Sequence, residues 1–296
     1  MVKEIPRGAN EHSWRTDDNN PVEFNSIFGV LGRSLENVLV FSKECDIFIL
    51  DRDLAVYEIA SRDNWISSLC SHDGRLYDAT LSGEVFETLI AGAVASRSNG
   101  VQALCSHNGK LYDAGKYNEV FETMKNKGVA SRDSWIETLC SHEGKLYDAG
   151  LYNKVFETLG GEEVASRSTG VQALCSHNRK LYDAGRSGQV FETVKDKEVA
   201  SVRGWIEDLC SHNGELYFAG DHSKIYKILK DEKVTSRNGT VQALCSHNGE
   251  LYDSVSSGKV FKTLGNEEVA SEKPGVSCLC SHPREYFVEK GVFSKW

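Results

Sequence analysis

No stretch of this chain approaches the roughly 18 consecutive apolar residues of a membrane span, and its first twenty residues, MVKEIPRGANEHSWRTDDNN, hold no apolar run of signal-peptide length. The expectation is a cytoplasmic protein with no membrane partner. A surplus of positive charge is missing too. Lys and Arg number 34 against 43 Asp and Glu, for a net charge of −9 at pH 7. That balance opposes binding to a phosphate backbone, so nucleic acid is not expected as a partner. Only four prolines occur, two of them (Pro6 and Pro21) in a polar opening stretch. Residues 1–25 therefore read as a tail ahead of a single domain over 26–296. An even cysteine count is also absent: of nine cysteines, seven occupy one repeated position, which argues for free thiols rather than a disulfide framework.

What is there is repetition. The stretch Leu104 to Gly115, LCSHNGKLYDAG, recurs in near-copies, and Cys70, Cys105, Cys140, Cys175, Cys210, Cys245 and Cys280 fall 35 residues apart with no insertion. A period held over seven copies means one supersecondary unit set in an array. In the unit that starts at Val101, VQALCSHNGKLYDAGKYNEVFETMKNKGVASR, β-branched and aromatic residues fall in short runs split by Asn-Gly, Tyr-Asn and Lys-Gly. That is a strand pattern. Four strands are expected, at VQALCSH, KLYDAG, EVFETM and VASR, with Asn108-Gly109 supplying the positive φ of a tight hairpin. No helix of useful length fits between these turn signals.

An all-β chain of short four-stranded units points to a β-propeller, in which blades pack face to face around a channel. The unit resembles the blades of WD-repeat, NHL and related propellers over about residues 26 to 296. Its LCSHxGxLYDAG wording is not the Gly-His and Trp-Asp signature of WD repeats, so the resemblance reaches the superfamily and no subfamily. Eight blades are expected, with seven the alternative count. In the eight-blade reading, residues 26–62 form a worn copy in which VFSKECDIF lies over LCSHNGKLY, residues 275–296 supply three strands, and SIFGVL (26–31) completes the last blade. In the seven-blade reading, AVYEIASR closes the ring as a missing fourth strand and 26–50 are an extra. Both readings make the two chain ends share a blade. The runs VLVF and IFIL, apolar on both faces, suit blade-internal strands.

Seven Ser-His pairs, at His72, His107, His142, His177, His212, His247 and His282, invite a nucleophile and its base. Adjacent strand residues face opposite ways, so Ser106 and His107 cannot meet within one blade. Each histidine is expected to bond backbone or a repeated carboxylate, among them Asp78, Asp113, Asp148, Asp183 and Asp253. Seven separated copies do not converge as metal ligands must, and no metal, cofactor or catalytic residue is expected. The repeated cysteines read as buried thiols, and Cys278 and Cys280 face opposite ways. Glu87 with Arg97, Glu122 with Arg132 and Glu157 with Arg167, each ten apart, read as cross-strand ion pairs. Exchanging Glu122 and Arg132 is then expected to be near neutral. Lys227 with Arg237 and Glu192 with Val202 break that pattern.

Propellers commonly engage partners through the face that carries their fourth-to-first and second-to-third loops. On that face the sequence places Arg62, Trp65, Tyr117, Arg132, Trp135, Tyr152, Trp205 and His222, the aromatic and cationic types that anchor interfaces. The three tryptophans open alternate units, 70 residues apart. The leading reading is a monomeric, non-catalytic scaffold that binds another macromolecule, a protein, through this face. A small-ligand or glycan binder with equivalent pockets between blades, Tyr117 and Tyr152 stacking on a sugar, is the second. A hydrolase or lyase with one site at the channel mouth is the third. One unit stands apart, with Phe218 for the usual Asp and Ile225-Tyr226-Lys227 for Val-Phe-Glu. A ligand-facing blade and neutral drift both fit that difference.

Overall fold

Each 35-residue unit folds as a four-stranded antiparallel sheet. In the computed structural model, which describes residues 37–51, 54–220, 223–228, 232–271 and 275–292, the unit that begins at Val101 shows the plan. Val101–His107 is the inner strand, Lys110–Gly115 the second, Glu119–Glu122 the third and Lys127–Ser131 the outer. Asn108 and Gly109, at φ 47° and 69°, make the two-residue turn between the first two. The same turn two units on is Asn178-Arg179, where Arg179 holds φ 59°. A left-handed conformation costs a residue with a β-carbon about 1 kcal/mol. Arg179→Gly is therefore expected to stabilise the protein by about 0.5–1 kcal/mol in urea unfolding, and a loss of stability would show that the Arg179 side chain makes a compensating contact.

Seven such sheets stand in a ring. Six are continuous in sequence, over 66–96, 101–131, 136–166, 171–201, 206–236 and 241–271, here blades 1 to 6. Blade 7 is shared by the two ends of the described chain. Val276–Pro283 is its inner strand, followed outward by Asn37–Lys43, Asp46–Leu50 and Val56–Ser61. Each inner strand adjoins the inner strands of both flanking blades, Val276–Pro283 against Ile66–His72 included, so the ring closes around a channel.

The count is seven, which corrects the expectation of eight. The segment after residue 275 gives one strand rather than three, because Arg284–Glu289 turns into a short helix with Tyr286 and Phe287 buried. VFSKECDIF lies one strand further out than its alignment on LCSHNGKLY implies, and AVYEIASR closes the ring only together with the two strands before it. SIFGVL and the tail at 1–25 lie outside the described residues. The shared blade and the internal placement of VLVF and IFIL are as expected, since residues 38–41 and 47–50 are buried.

Blades adhere through apolar layers. Ala103, Tyr112, Ala114 and Val120 of blade 2 meet Ile136, Leu139 and Leu146 of blade 3, and the same sets recur around the ring. At the closing seam Val40 stands opposite Cys280, where blade 2 sets Tyr112 opposite Cys105. The helix fills the space this leaves. Tyr286 and Phe287 lie edge-on to His282, with ring centroids 5.0 and 5.4 Å away, much as Tyr112 flanks His107 at 6.1 Å.

Candidate functional site

The Ser-His pairs form one circular chain of hydrogen bonds between blades. Every histidine Nδ1 lies 2.8–3.0 Å from the serine Oγ of the next blade, from His72 and Ser106 round to His282 and Ser71. Beside His107, His177, His212 and His247 the following asparagine bonds Nε2 at 2.9–3.2 Å. An amide nitrogen only donates, so Nε2 accepts and the ring proton sits on Nδ1, which donates to the serine. An imidazole in that state cannot take the serine's proton. Burial also lowers the pKa of His107, His142, His177 and His212, and takes those of His247 and His282 to about 4. The expected carboxylate partners are corrected: the repeated aspartates are bound elsewhere.

They are bound by arginine. Arg62, Arg97, Arg132, Arg167 and Arg237 each reach the aspartate 16 residues on at 2.6–2.7 Å, with every aspartate side chain at most 1% exposed. Each guanidinium also lies 4.1–4.3 Å over the phenylalanine of the third strand. The ten-residue Glu–Arg pairs do not form. Glu122 is held by Lys110 and Lys125, Glu157 by Lys145, and Glu87 by Arg75. Register explains this: Glu122 lies opposite Lys127 and Glu119 opposite Ser131, so Arg132 is a strand length from Glu122. Exchanging Glu122 and Arg132 would break two sets of contacts rather than none.

The blade that differs from its siblings has lost both halves of this pair at once. In blade 5, Val202 stands in the arginine place and Phe218 in the aspartate place. Phe218 is 1% exposed and stacks on Tyr226 with centroids 4.9 Å apart, above Ile228. Phe218 faces no open surface, and the change is a compensated exchange of ions for apolar contact. Blade 7 likewise has Phe41 opposite Leu279, where blade 2 has Asp113 opposite Leu104.

On the loop face these networks draw in half of the candidate residues. Arg62 and Arg132 are in the buried pairs just described. Tyr117 and Tyr152 donate their hydroxyls to Asp113 and Asp148 at 2.6 and 3.3 Å, and burial together with those carboxylates pushes both phenol pKa values up. His222 lies outside the described residues. Trp65, Trp135 and Trp205 remain 56%, 42% and 46% exposed. Their loops are fixed from beneath, as the amides of Leu81 and Leu151 bond the Trp65 and Trp135 carbonyls. Lys116 Nζ sits 5.1 Å over the Trp135 ring, and the Arg186 guanidinium 5.1 Å over that of Trp205.

Just below the tryptophans every inner strand carries a bulge. Ile136 pairs with Gly150 and Thr138 with Ala149, so Glu137 is an extra residue. The seven bulge residues are Ser67, Gln102, Glu137, Gln172, Glu207, Gln242 and Ser277. This polar ring was missed by sequence reasoning, although the signal was present: a polar residue directly after the apolar residue that opens each inner strand. Burial raises the Glu137 carboxyl, against the opposing influence of Arg186 and Lys116. Beside Glu207, Asp208 accepts the amides of Leu244 in blade 6 at 2.7 Å and of Leu209 at 2.8 Å, and burial pushes its pKa up to about 7. Also missed were Met124, Leu159, Val194 and Leu264, each at least half exposed at one loop position on the opposite face.

All nine cysteines are free, Cys210 and Cys245 buried and the others half-buried. Burial pushes the thiols of Cys105, Cys140 and Cys280 up to about 12, which leaves them protonated at neutral pH. Among the described residues, no three His, Cys or carboxylate side chains gather to hold one ion, and no helix is long and apolar enough to cross a membrane.

No family model matches the chain, and no curated protein matches it. Among solved structures, the WD40 β-propeller domain of Doa1 superposes with a TM-score of 0.60 at 10% identity, over 84% of this chain and 95% of that one. The computationally designed protein Ika8 superposes with a TM-score of 0.57 at 14% identity, over 86% of this chain and 96% of that one. The likeness is one of fold: the Doa1 domain is a β-propeller, as is the ring of seven four-stranded sheets seen here.

Proposed function

We propose that the protein is a monomeric, non-catalytic scaffold that binds another protein through the face bearing Trp65, Trp135 and Trp205. The observation that carries this is selective exposure. Arg62, Arg132, Tyr117 and Tyr152 on the same face are tied down internally, while three large aromatics at equivalent places keep about half their surface in water. Half-exposed tryptophan on a rigid rim has the profile of an interface anchor, because burying it on a partner gains apolar area at little conformational cost. The fold suits the role, since a closed ring holds its loops around one opening. The glycan reading draws less support, as Tyr117 and Tyr152 are engaged with Asp113 and Asp148.

The test is affinity capture from the native source with wild-type bait and with the triple Trp→Ala bait. Specific partners are expected to fall about tenfold or more with the triple variant, while its thermal midpoint stays close to wild type. Equal recovery of the same proteins by both baits overturns the loop-face reading.

A further inference from the structure

The three tryptophans do not stand in equal company. Trp135 carries Lys116 on its ring and Trp205 carries Arg186, in the same geometry, 70 residues and two blades apart. Trp65 carries no cation on its ring among the described residues, and acids stand near the turn that its loop bonds. The backbone amides of Ile66 and Arg62 beside it bond the backbone carbonyls of Glu44 and Cys45 in the facing turn, where burial and then Asp46, Glu44 and Asp63 push the Cys45 thiol pKa up. Among the described residues, Lys116 and Arg186 have no carboxylate in ion-pair contact, although Glu137 stands near enough to both to feel their charge.

A cation resting on an indole face is desolvated on one side and held in place, so that fixing it against a second partner costs less conformational entropy. Its outer side stays open to an anion, with the exposed indole beside it as an apolar wall. Two such units, with no counterpart at Trp65 among the described residues, make one half of the loop face a receptor for paired negative charge. We infer that blades 2 to 5 bind an extended segment of a partner protein that carries two acidic side chains, one at Lys116 and Trp135 and one at Arg186 and Trp205. This rests on the reading of the loop face as the binding face. Net charge of −9 repels a ligand in proportion to the ligand's own charge. A segment with two carboxylates is therefore tolerated where a nucleic acid, charged at every unit, is not. Screening over about 8 Å leaves the local cations to decide the contact.

The experiment is selection of random displayed peptides against the full chain, then fluorescence anisotropy of a labelled selected peptide and of a labelled oligothymidylate. Selected peptides are expected to share two acidic positions and to bind more weakly as salt rises. Lys116→Glu and Arg186→Glu should each lower affinity about tenfold or more, and Trp65→Ala less than about twofold. Lys116→Met, which keeps an apolar stem on the ring, should also lose affinity, which assigns the loss to charge. A library that yields no binder, binders without acidic residues, charge reversals without effect, or tight oligothymidylate binding would each overturn the inference. Binders without acidic residues that are lost on Trp135→Ala leave the loop-face reading standing. Binders indifferent to all three tryptophan replacements remove it as well.

Discussion

Asp183→Ala is expected to cost about 3–5 kcal/mol of stability, the usual penalty for stranding one half of a buried ion pair. Arg167 is 5% exposed in its side chain and Asp183 1%, and the pair is bidentate at 2.6 and 2.7 Å. With the carboxylate gone, the guanidinium keeps the face of Phe191 and, as polar partners, only the Ser166 carbonyl and the exposed Asp196. Those contacts place the loss at the lower end of the range. The neighbouring blade shows how the same space is filled without charge, through Val202, Phe218, Tyr226 and Ile228. Carrying that set into blade 4, as Arg167→Val, Asp183→Phe, Phe191→Tyr and Thr193→Ile together, is expected to return stability to within about 1–2 kcal/mol of wild type. Urea unfolding of the single and the quadruple variant measures both. A quadruple variant as unstable as Asp183→Ala would show that blade 5 depends on something other than this exchange.

The same pair marks the limit of what the sequence discloses. The 35-residue period, the Asn108-Gly109 turn and the alternation within VQALCSH fix strands and hairpins, because those contacts lie close in sequence and obey short-range backbone rules. The bonds that tie blades together span 34 residues for His and Ser and 16 for Arg and Asp, and no local rule predicts them. Glu122 and Arg132 looked like partners only because adjacent strands hold both; register puts them at opposite ends. The blade count failed for a related reason. The apolar residues 38–41 suit an internal strand in any blade, and nothing within REYFVE announces that the chain leaves the sheet at Arg284. The tryptophans were legible as an unequal residue in an otherwise copied unit. Their cations were not legible in the same way: Lys116 and Arg186 become notable only once the ring sets them over Trp135 and Trp205.

Asp208→Ser is expected to make the protein more stable at alkaline pH, by a margin that shrinks as pH falls and vanishes only below about pH 4. The Asp208 carboxyl has its pKa raised from 3.8 to about 7, first by burial, against the pull of two backbone amides, with Glu207 adding to the rise. The folded state thus binds this proton more tightly than the unfolded chain does. Stability from this group is greatest below about pH 4, declines as pH rises, and is fully lost above about pH 7. A shift of three units corresponds to about 4 kcal/mol. Asp208 is half-buried rather than sealed, so its charge is partly screened and an effect of about 1–3 kcal/mol is expected. Serine is the right replacement because Ser68, at the same place in blade 1, accepts the Leu104 amide at 3.1 Å, and the bond between blades survives. Thermal unfolding of the two proteins at about pH 5 and about pH 8 isolates the group, since most other titrations cancel in the difference. A gap that does not widen with pH would mean that Asp208 keeps an ordinary carboxylate pKa in water, and that its charge burdens neither the channel wall nor the seam between blades 5 and 6.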